Sequence, residues 1–254
     1  MFLKGHPLIK NNKEIEILRR ANAILMEILL TIKEAVKPGV STFEFEEMTN
    51  ELCERKKVIP AFKGYRGYPY ALCVSVNEEV VHGMPRKEKI LKEGDIVSFD
   101  FGIVYEGYFG DAALSVGVGS ISPLAERLLK TTEEALYLAI EKARIGNKIG
   151  DVSHAVQKRV EKEGFNVIRD FVGHGIGKAL HEPPEIPNYG KPGRGPKIEA
   201  GMVLAIEPMV SAGSHEVKIL EDGWTAVTKD GSLAAHFEHS VAVTPTGPII
   251  LSAI

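Results

Sequence analysis

Four carboxylates occupy stretches that otherwise read as buried strand. Asp100 lies in Ile96–Tyr105, Asp111 in Tyr108–Val118, Glu207 in Val203-Leu-Ala-Ile-Glu-Pro-Met-Val and Glu238 in Ala234-Ala-His-Phe-Glu-His-Ser-Val. An ionised carboxylate enclosed by apolar side chains costs on the order of several kcal/mol unless something compensates it. An arginine partner would account for one such acid and is a poor account of four. Between Lys92 and Arg127 the chain has no Lys or Arg at all. Divalent cations fit better: two would carry +4 against four carboxylates, and an oxygen-rich donor set suits hard or borderline metals. His174, framed by glycines in Phe171-Val-Gly-His-Gly-Ile-Gly, is the candidate nitrogen ligand. The flanking glycines are expected to leave the imidazole reachable and to let the backbone turn sharply. His181 follows seven residues later, before Glu182 and Pro183. The pair is not the helix-borne HExxH of zinc proteases, and Gly173–Lys178 lacks the spacing and the Ser/Thr of a phosphate loop.

These residues need elements to hold them together. Glu106-Gly107 reads as a tight turn between two strands, and parity puts Asp100 and Asp111 on one face. A Tyr105-Glu106 loop would oppose them directly, with Cβ atoms roughly 5 Å apart; a Glu106-Gly107 loop makes them diagonal neighbours at roughly 7–8 Å. Upstream, Ile17, Ala21, Ile24, Leu25, Ile28, Leu29 and Ile32 recur at helical steps, and Pro38-Gly39 is expected to end that helix. Ser41 with Glu44 forms a capping box that opens a second helix bearing Phe45, Met48 and Leu52. Strand signals run from Tyr70 to Val118. Ser122-Pro123 opens a third helix expected to stop near Gly146, a fourth spans about Asp151 to Glu163, and a Pro/Gly-rich excursion runs from Pro183 to Pro196.

Gly94-Asp-Ile-Val-Ser-Phe-Asp100 resembles Gly201-Met-Val-Leu-Ala-Ile-Glu207, an offset of 107 residues that also relates Gly39 to Gly146 and Glu54 to Glu161. Each half reads helix, helix, strands, with an acid ending an apolar strand. A two-fold pseudo-repeat is expected, with halves of approximately 1–120 and 121–254 sharing one sheet in a single domain.

The whole composition is that of an ordinary soluble globular chain: 254 residues, 26% charged, 44% hydrophobic, formal net charge −3. That excludes a disordered or collagen-like chain, and the slight acidic excess argues against a general nucleic-acid binder. No run approaches the roughly 20 apolar residues of a membrane span, and no secretory signal is legible. Cys53 and Cys73 are expected to be free thiols in a reducing cytoplasm.

Taken together, these pieces closely resemble type I methionine aminopeptidases. The matching segments are Ala61-Phe-Lys-Gly-Tyr-Arg-Gly-Tyr-Pro, Cys73-Val-Ser-Val-Asn-Glu, Val81-His-Gly-Met-Pro, Gly94 to Gly102, Gly107-Tyr-Phe-Gly-Asp-Ala-Ala, Phe171 to Gly177, Leu180-His-Glu-Pro-Pro-Glu-Ile-Pro-Asn-Tyr, Ala205-Ile-Glu-Pro, Asp222-Gly-Trp-Thr-Ala and Phe237-Glu-His, in the family's order and over nearly the whole chain. The resemblance implies the α/β (α+β) pita-bread fold, a curved antiparallel sheet backed by two pseudo-symmetric pairs of helices. It implies a dinuclear metal site of Asp100, Asp111, His174, Glu207 and Glu238, with Asp111 and Glu238 bridging and a metal-bound water or hydroxide as nucleophile. Fe(II), Mn(II) or Co(II) rank above Zn(II) for such a site. Glu207 is then the proton carrier, His181 stabilises the tetrahedral intermediate, and His82 contacts the substrate near the scissile amide. Tyr65, Tyr68, Cys73, His82 and Trp224 match the family's methionine pocket, with Phe62 and Leu180 at its edge; a thioether packs well against such rings. The implied partners are N-termini of nascent polypeptides whose second residue is small, with transient ribosome contact, no membrane and no specific nucleic acid, for a monomer in the cytoplasm.

Two alternatives share the fold. Prolidases and aminopeptidases P are similar around the metals but carry an additional N-terminal domain, for which the roughly 60 residues before the pocket motif leave little room. A binding module that has lost its metals is disfavoured because all five ligand types are present. A type II enzyme would need a helical insertion that the segment between His174 and Glu207 does not have.

Overall fold

Asn11 caps the first helix: its side chain accepts from Lys13 N and Glu14 N, and Glu14 reaches back to the Asn11 amide. The helix presents Leu18, Ala21, Leu25, Ile28, Leu29 and Ile32, all fully buried, at three- and four-residue steps. Each such Leu or Ile contributes roughly 1.5–3 kcal/mol by leaving water. The coordinates are a computed structural model that describes residues 5–253. In chain order the elements are α1 (Asn12–Glu34), α2 (Thr42–Lys56), β1 (Ile59–Pro60), β2 (Leu72–Val76), β3 (Glu79–Val81), β4 (Ile96–Tyr105), β5 (Tyr108–Gly117), α3 (Pro123–Ile140), α4 (Ile149–Lys162), β6 (Asn166–Val167), β7 (Val172–Gly175), β8 (Glu182–Pro187), β9 (Val203–Ile206), β10 (Met209–Ser211), β11 (Val217–Ile219), β12 (Ala226–Thr228), β13 (Ala234–His236), β14 (Glu238–Thr244) and β15 (Gly247–Ile250).

The main sheet is antiparallel and runs β1-β4-β5-β14-β9-β7-β8, with β2 also on β4 and β15 also on β14. Two three-stranded sheets, β13-β10-β6 and β11-β12-β3, complete the strands. α1 packs against β4 and β5 and α2 against β1 and β2, while α3 packs against β13, β10 and β5 and α4 against β6 and β8. This is the curved, helix-backed α/β sheet that the resemblance implied. The offset of 107 recurs in the contacts. The bridge Ser41↔Ile90 has its counterpart in Lys148↔Lys197, and the bond Leu91 N to Val40 O (2.8 Å) in Ile198 N to Asn147 O (3.0 Å). Gly39 and Gly146 share left-handed φ values of 92° and 94°, Gly94 and Gly201 of 91° and 88°.

Several boundaries differ from expectation. α1 stops at Glu34, ahead of Pro38-Gly39, because Ala35 N and Val36 N turn back to Ile32 O and Lys33 O in a tighter last turn. α3 stops at Ile140 and not near Gly146. Lys142 N and Ala143 N bond three residues back, to Ala139 O and Ile140 O, and Gly146 then supplies the left-handed turn into α4. α4 begins at Ile149, two residues before Asp151, because Asp151 caps it through the Lys148 amide at 2.8 Å. The strand signal of Tyr70–Val118 is interrupted between β3 and β4, and the segment around Glu238 breaks at Phe237 into β13 and β14.

Candidate functional site

The β4–β5 register decides the first open question. Tyr105 pairs with Tyr108, so the turn is Glu106-Gly107, with φ values of 50° and 79°. Both central residues are left-handed, as the two-residue hairpin turn requires. Asp100 therefore lies opposite Ala113 and Asp111 opposite Gly102: the acids are diagonal neighbours on one face. The same Ala113 is paired with Glu238 on β14, and Asp100 is paired with Cys73 on β2. One row across four strands thus carries Cys73, Asp100, Ala113 and Glu238, with Asp111 two residues along β5. A second row, two residues further along β14, joins Ser240, Ala205 of β9 and His174 of β7. Glu207 follows Ala205 by two and shares its face.

The glycines around His174 act differently from the expected sharp turn. Gly173 and Gly175 are in extended β7, not in a turn. A Cβ on Gly173 would meet Ala205 O at 2.4 Å, and one on Gly175 would meet Pro183 O at 2.4 Å. They let β7 lie close between its neighbours, and His174 is buried rather than open, with 3% of its surface exposed. The His174 Nδ1 donates to Gly175 O at 3.0 Å, since a carbonyl can only accept. Nε2 therefore presents a lone pair, 3.9 Å from Asp111 Oδ2 and 3.5 Å from Glu207 Oε1. Burial pushes this imidazole down to about 4, so it is neutral near pH 7.

Donor atoms of Asp111, His174 and Glu238 lie within 4.8 Å of one another, and Asp111 Oδ1 and Glu238 Oε1 have no hydrogen-bond partner among the described residues. Burial raises all four carboxyls: Asp100 to about 6, and Asp111, Glu207 and Glu238 well above the usual carboxylate range, Asp111 further through Glu238, Asp100 and Glu207. Converging lone pairs with no hydrogen between them are what a divalent cation satisfies, so these residues fit a metal.

A cavity of about 150 Å³ joins this cluster to an apolar recess. It is lined by Asp100, Asp111, His174, Glu207, Glu238, His82, His181, Tyr65, Tyr68, Cys73, Trp224, Phe62 and Leu180, every residue singled out from the sequence. The Tyr65 hydroxyl lies 2.8 Å from His181 Nδ1, with the two rings stacked 5.3 Å apart. The Tyr68 hydroxyl lies 3.1 Å from both Leu72 O and Gly83 O, and its ring meets Trp224 edge-on at 5.1 Å. Trp224 is held by Asp222, which accepts from its amide at 2.9 Å and is paired with Arg86. His82 takes a left-handed φ of 59° and packs edge-on against Phe171 and Trp224. Burial pushes His82 to about 4 and His181 to about 3, so both are neutral near pH 7. Burial also raises the Cys73 thiol, which keeps it protonated and weakly nucleophilic near pH 7.

His236 was not singled out in the sequence. It is buried, with Nε2 3.5 Å from Glu207 Oε2 and no hydrogen-bond partner among the described residues. The legible signal was its spacing of two from Glu238 in an extended segment, which puts both on one face. Outside the cavity, Lys10 and Glu182 form a buried ion pair at 2.5 Å that ties the N-terminal segment to the strand following His181. Among the described residues no helix is long and apolar enough to cross a membrane.

A profile of "Metallopeptidase family M24" matches residues 16–245. The chain is 51% identical to the methionine aminopeptidase of Clostridium acetobutylicum, over 96% of this chain and 98% of that protein. It is 47% identical to methionine aminopeptidase 1 of Bacillus subtilis, over 97% and 99% respectively. Among solved structures, the methionine aminopeptidase of Thermotoga maritima superposes with a TM-score of 0.96 at 51% identity, covering 98% of this chain and 100% of that one. The prolidase of Pyrococcus furiosus shares the fold, with a TM-score of 0.80 at 22% identity, and the chain covers 66% of it.

Proposed function

Because the chain belongs to metallopeptidase family M24 and is a metal-dependent hydrolase that removes N-terminal methionine, we propose that the residues of this cavity divide that task as follows. Asp100, Asp111, His174, Glu207 and Glu238 would hold two divalent ions, for which Fe(II), Mn(II) or Co(II) suit the donor set better than Zn(II). Bound there, the ions would supply Lewis-acid polarisation of the scissile carbonyl and acidify the attacking water. The chain's own groups do the rest. The Glu207 carboxylate takes the proton of the attacking water and returns it to the leaving amine. Tyr65 donates to His181 Nδ1, which leaves Nε2–H free to donate to the oxygen that gains charge. His82, neutral and held against Phe171 and Trp224, hydrogen-bonds the amide of the scissile bond. Tyr65, Tyr68, Cys73 and Trp224, with Phe62 and Leu180, receive the unbranched thioether side chain.

The single observation that carries this reading is that one cavity joins a cation-demanding acid cluster to an apolar recess of Tyr65, Tyr68, Cys73, Trp224, Phe62 and Leu180, with the charged Arg66 exposed at its rim. A charged P1 side chain would be desolvated there with no partner. The test is mass spectrometry on a mixed peptide set with Mn(II) or Co(II). Free methionine is expected from Met-Ala, Met-Gly and Met-Ser peptides, little from Met-Lys or Met-Trp, and none from acetylated peptides. Preferential cleavage of Xaa-Pro peptides would overturn the substrate assignment. We further propose that the enzyme works as a monomer in the cytoplasm on nascent chains, in transient contact with ribosomes. The free Cys53 and Cys73 support a reducing compartment, and sedimentation alone and with ribosomes tests the rest.

A further inference from the structure

Among the cavity-lining residues Arg66 carries the one permanent positive charge, and it is exposed at the rim. It sits in the short 3-10 turn Tyr65–Gly67 with φ 51° and ψ 21°, a left-handed conformation that costs an arginine more than a glycine. Its guanidinium lies over the Tyr65 ring, 5.3 Å from the centroid, and takes part in no ion pair with an Asp or Glu among the described residues. The deep end of the cavity holds the acid cluster, and the apolar wall holds Tyr68, Cys73 and Trp224. A substrate whose amine and first side chain fill those two regions must leave through the rim, past Arg66.

Building on the aminopeptidase reading, we propose that Arg66 is a specificity-determining residue that favours substrates bearing a carboxylate just downstream of the scissile bond. Arginine suits this because its planar fork pairs with a carboxylate bidentately and its face stacks on Tyr65, which holds it in place. The carboxylate has two sources: the C-terminus of a short peptide, or an Asp or Glu side chain at the third position.

Steady-state cleavage of two peptide pairs separates them. The first pair is Met-Ala-Ser as free acid and as C-terminal amide. The second is Met-Ala-Glu-Ser amide and Met-Ala-Gln-Ser amide. The metal-loaded enzyme is expected to favour the carboxylate-bearing member of at least one pair by about two- to fivefold in kcat/KM, expressed in KM, the range given by an exposed ion pair. The pair that shows the preference identifies the source. Arg66→Gln is expected to bring the ratio to about one, and Arg66→Lys to retain part of it. In 1 M salt the wild-type preference should shrink, since the screening length falls to about 3 Å. Cleavage of all four peptides with no preference overturns the role of Arg66 and leaves the aminopeptidase reading intact, as does a preference that persists in Arg66→Gln. Failure to cleave any of the four overturns both.

Discussion

The two glycine-flanked and proline-flanked histidines, seven residues apart, are separable by what they touch. His174 Nε2 faces Asp111 and Glu207, whereas His181 is bonded to Tyr65. His174→Ala is therefore expected to lose metal by elemental analysis. His181→Ala should keep it while kcat falls by roughly 10²–10³-fold, the effect of removing one oxyanion donor. Equal metal loss in both variants would refute the division. Asp100 gives a pH-dependent test. Its folded-state carboxyl is raised to about 6 by burial, against 3.8 unfolded, so the metal-free folded state binds the extra proton between those values. Its contribution to stability is present at low pH and is lost as pH rises through about 4 to 6. Metal-free Asp100→Asn should accordingly gain melting temperature over the metal-free wild type across that window and hold a plateau above it. Metal loading should reverse the order, because the ion binds only the ionised form. Thermal melts at stepped pH, with and without chelator, measure both.

At the scale of elements, the site depends on how closely strands approach. β7 lies against β9 with no room for a side chain at Gly173, where a Cβ would be 2.4 Å from the Ala205 carbonyl. Gly173→Ala must push β7 away and carry His174 with it. A loss of about 1–3 kcal/mol in denaturant unfolding is expected, together with weaker metal binding in titration calorimetry. An unchanged metal affinity would show that β7 yields without moving its histidine. The hairpin β4–β5 has a comparable constraint: its two-residue turn sets Asp100 and Asp111 diagonal, and any longer loop would free the register.

For the whole molecule, the acid cluster lies where β4 and β5 of the first half meet β14, β9 and β7 of the second. Four carboxyls with raised proton affinity, Asp111 and Glu238 buried and Asp100 and Glu207 half-buried, oppose folding at neutral pH, and bound cations would remove that opposition. Exhaustive chelation should abolish activity and lower the melting temperature, and a divalent ion should restore both. With free ion at about 100 times its dissociation constant the recovered stability is about 2.7 kcal/mol. Full activity in protein verified metal-free would overturn the metal requirement.

The acids, His174 and the capping residues were legible from the chain alone, because a charge in an apolar strand and a Ser-x-x-Glu before a helix are local facts. The 107-residue offset was legible too, since repeated turns need repeated glycines, as Gly94 and Gly201 show with nearly equal φ. Three things needed the tertiary structure. The diagonal arrangement of Asp100 and Asp111 depended on which of two turns the hairpin adopts, a choice the sequence left between two registers. The role of Gly173 and Gly175 depended on the carbonyls of β9 and of Pro183, which are close in space and distant or unaligned in sequence. The place of His236 beside Glu207, and of Arg66 at the rim, depended on strands and loops brought together by a curved sheet. Local patterns record which residues must be buried or capped; only the packed chain decides which of them share a cavity.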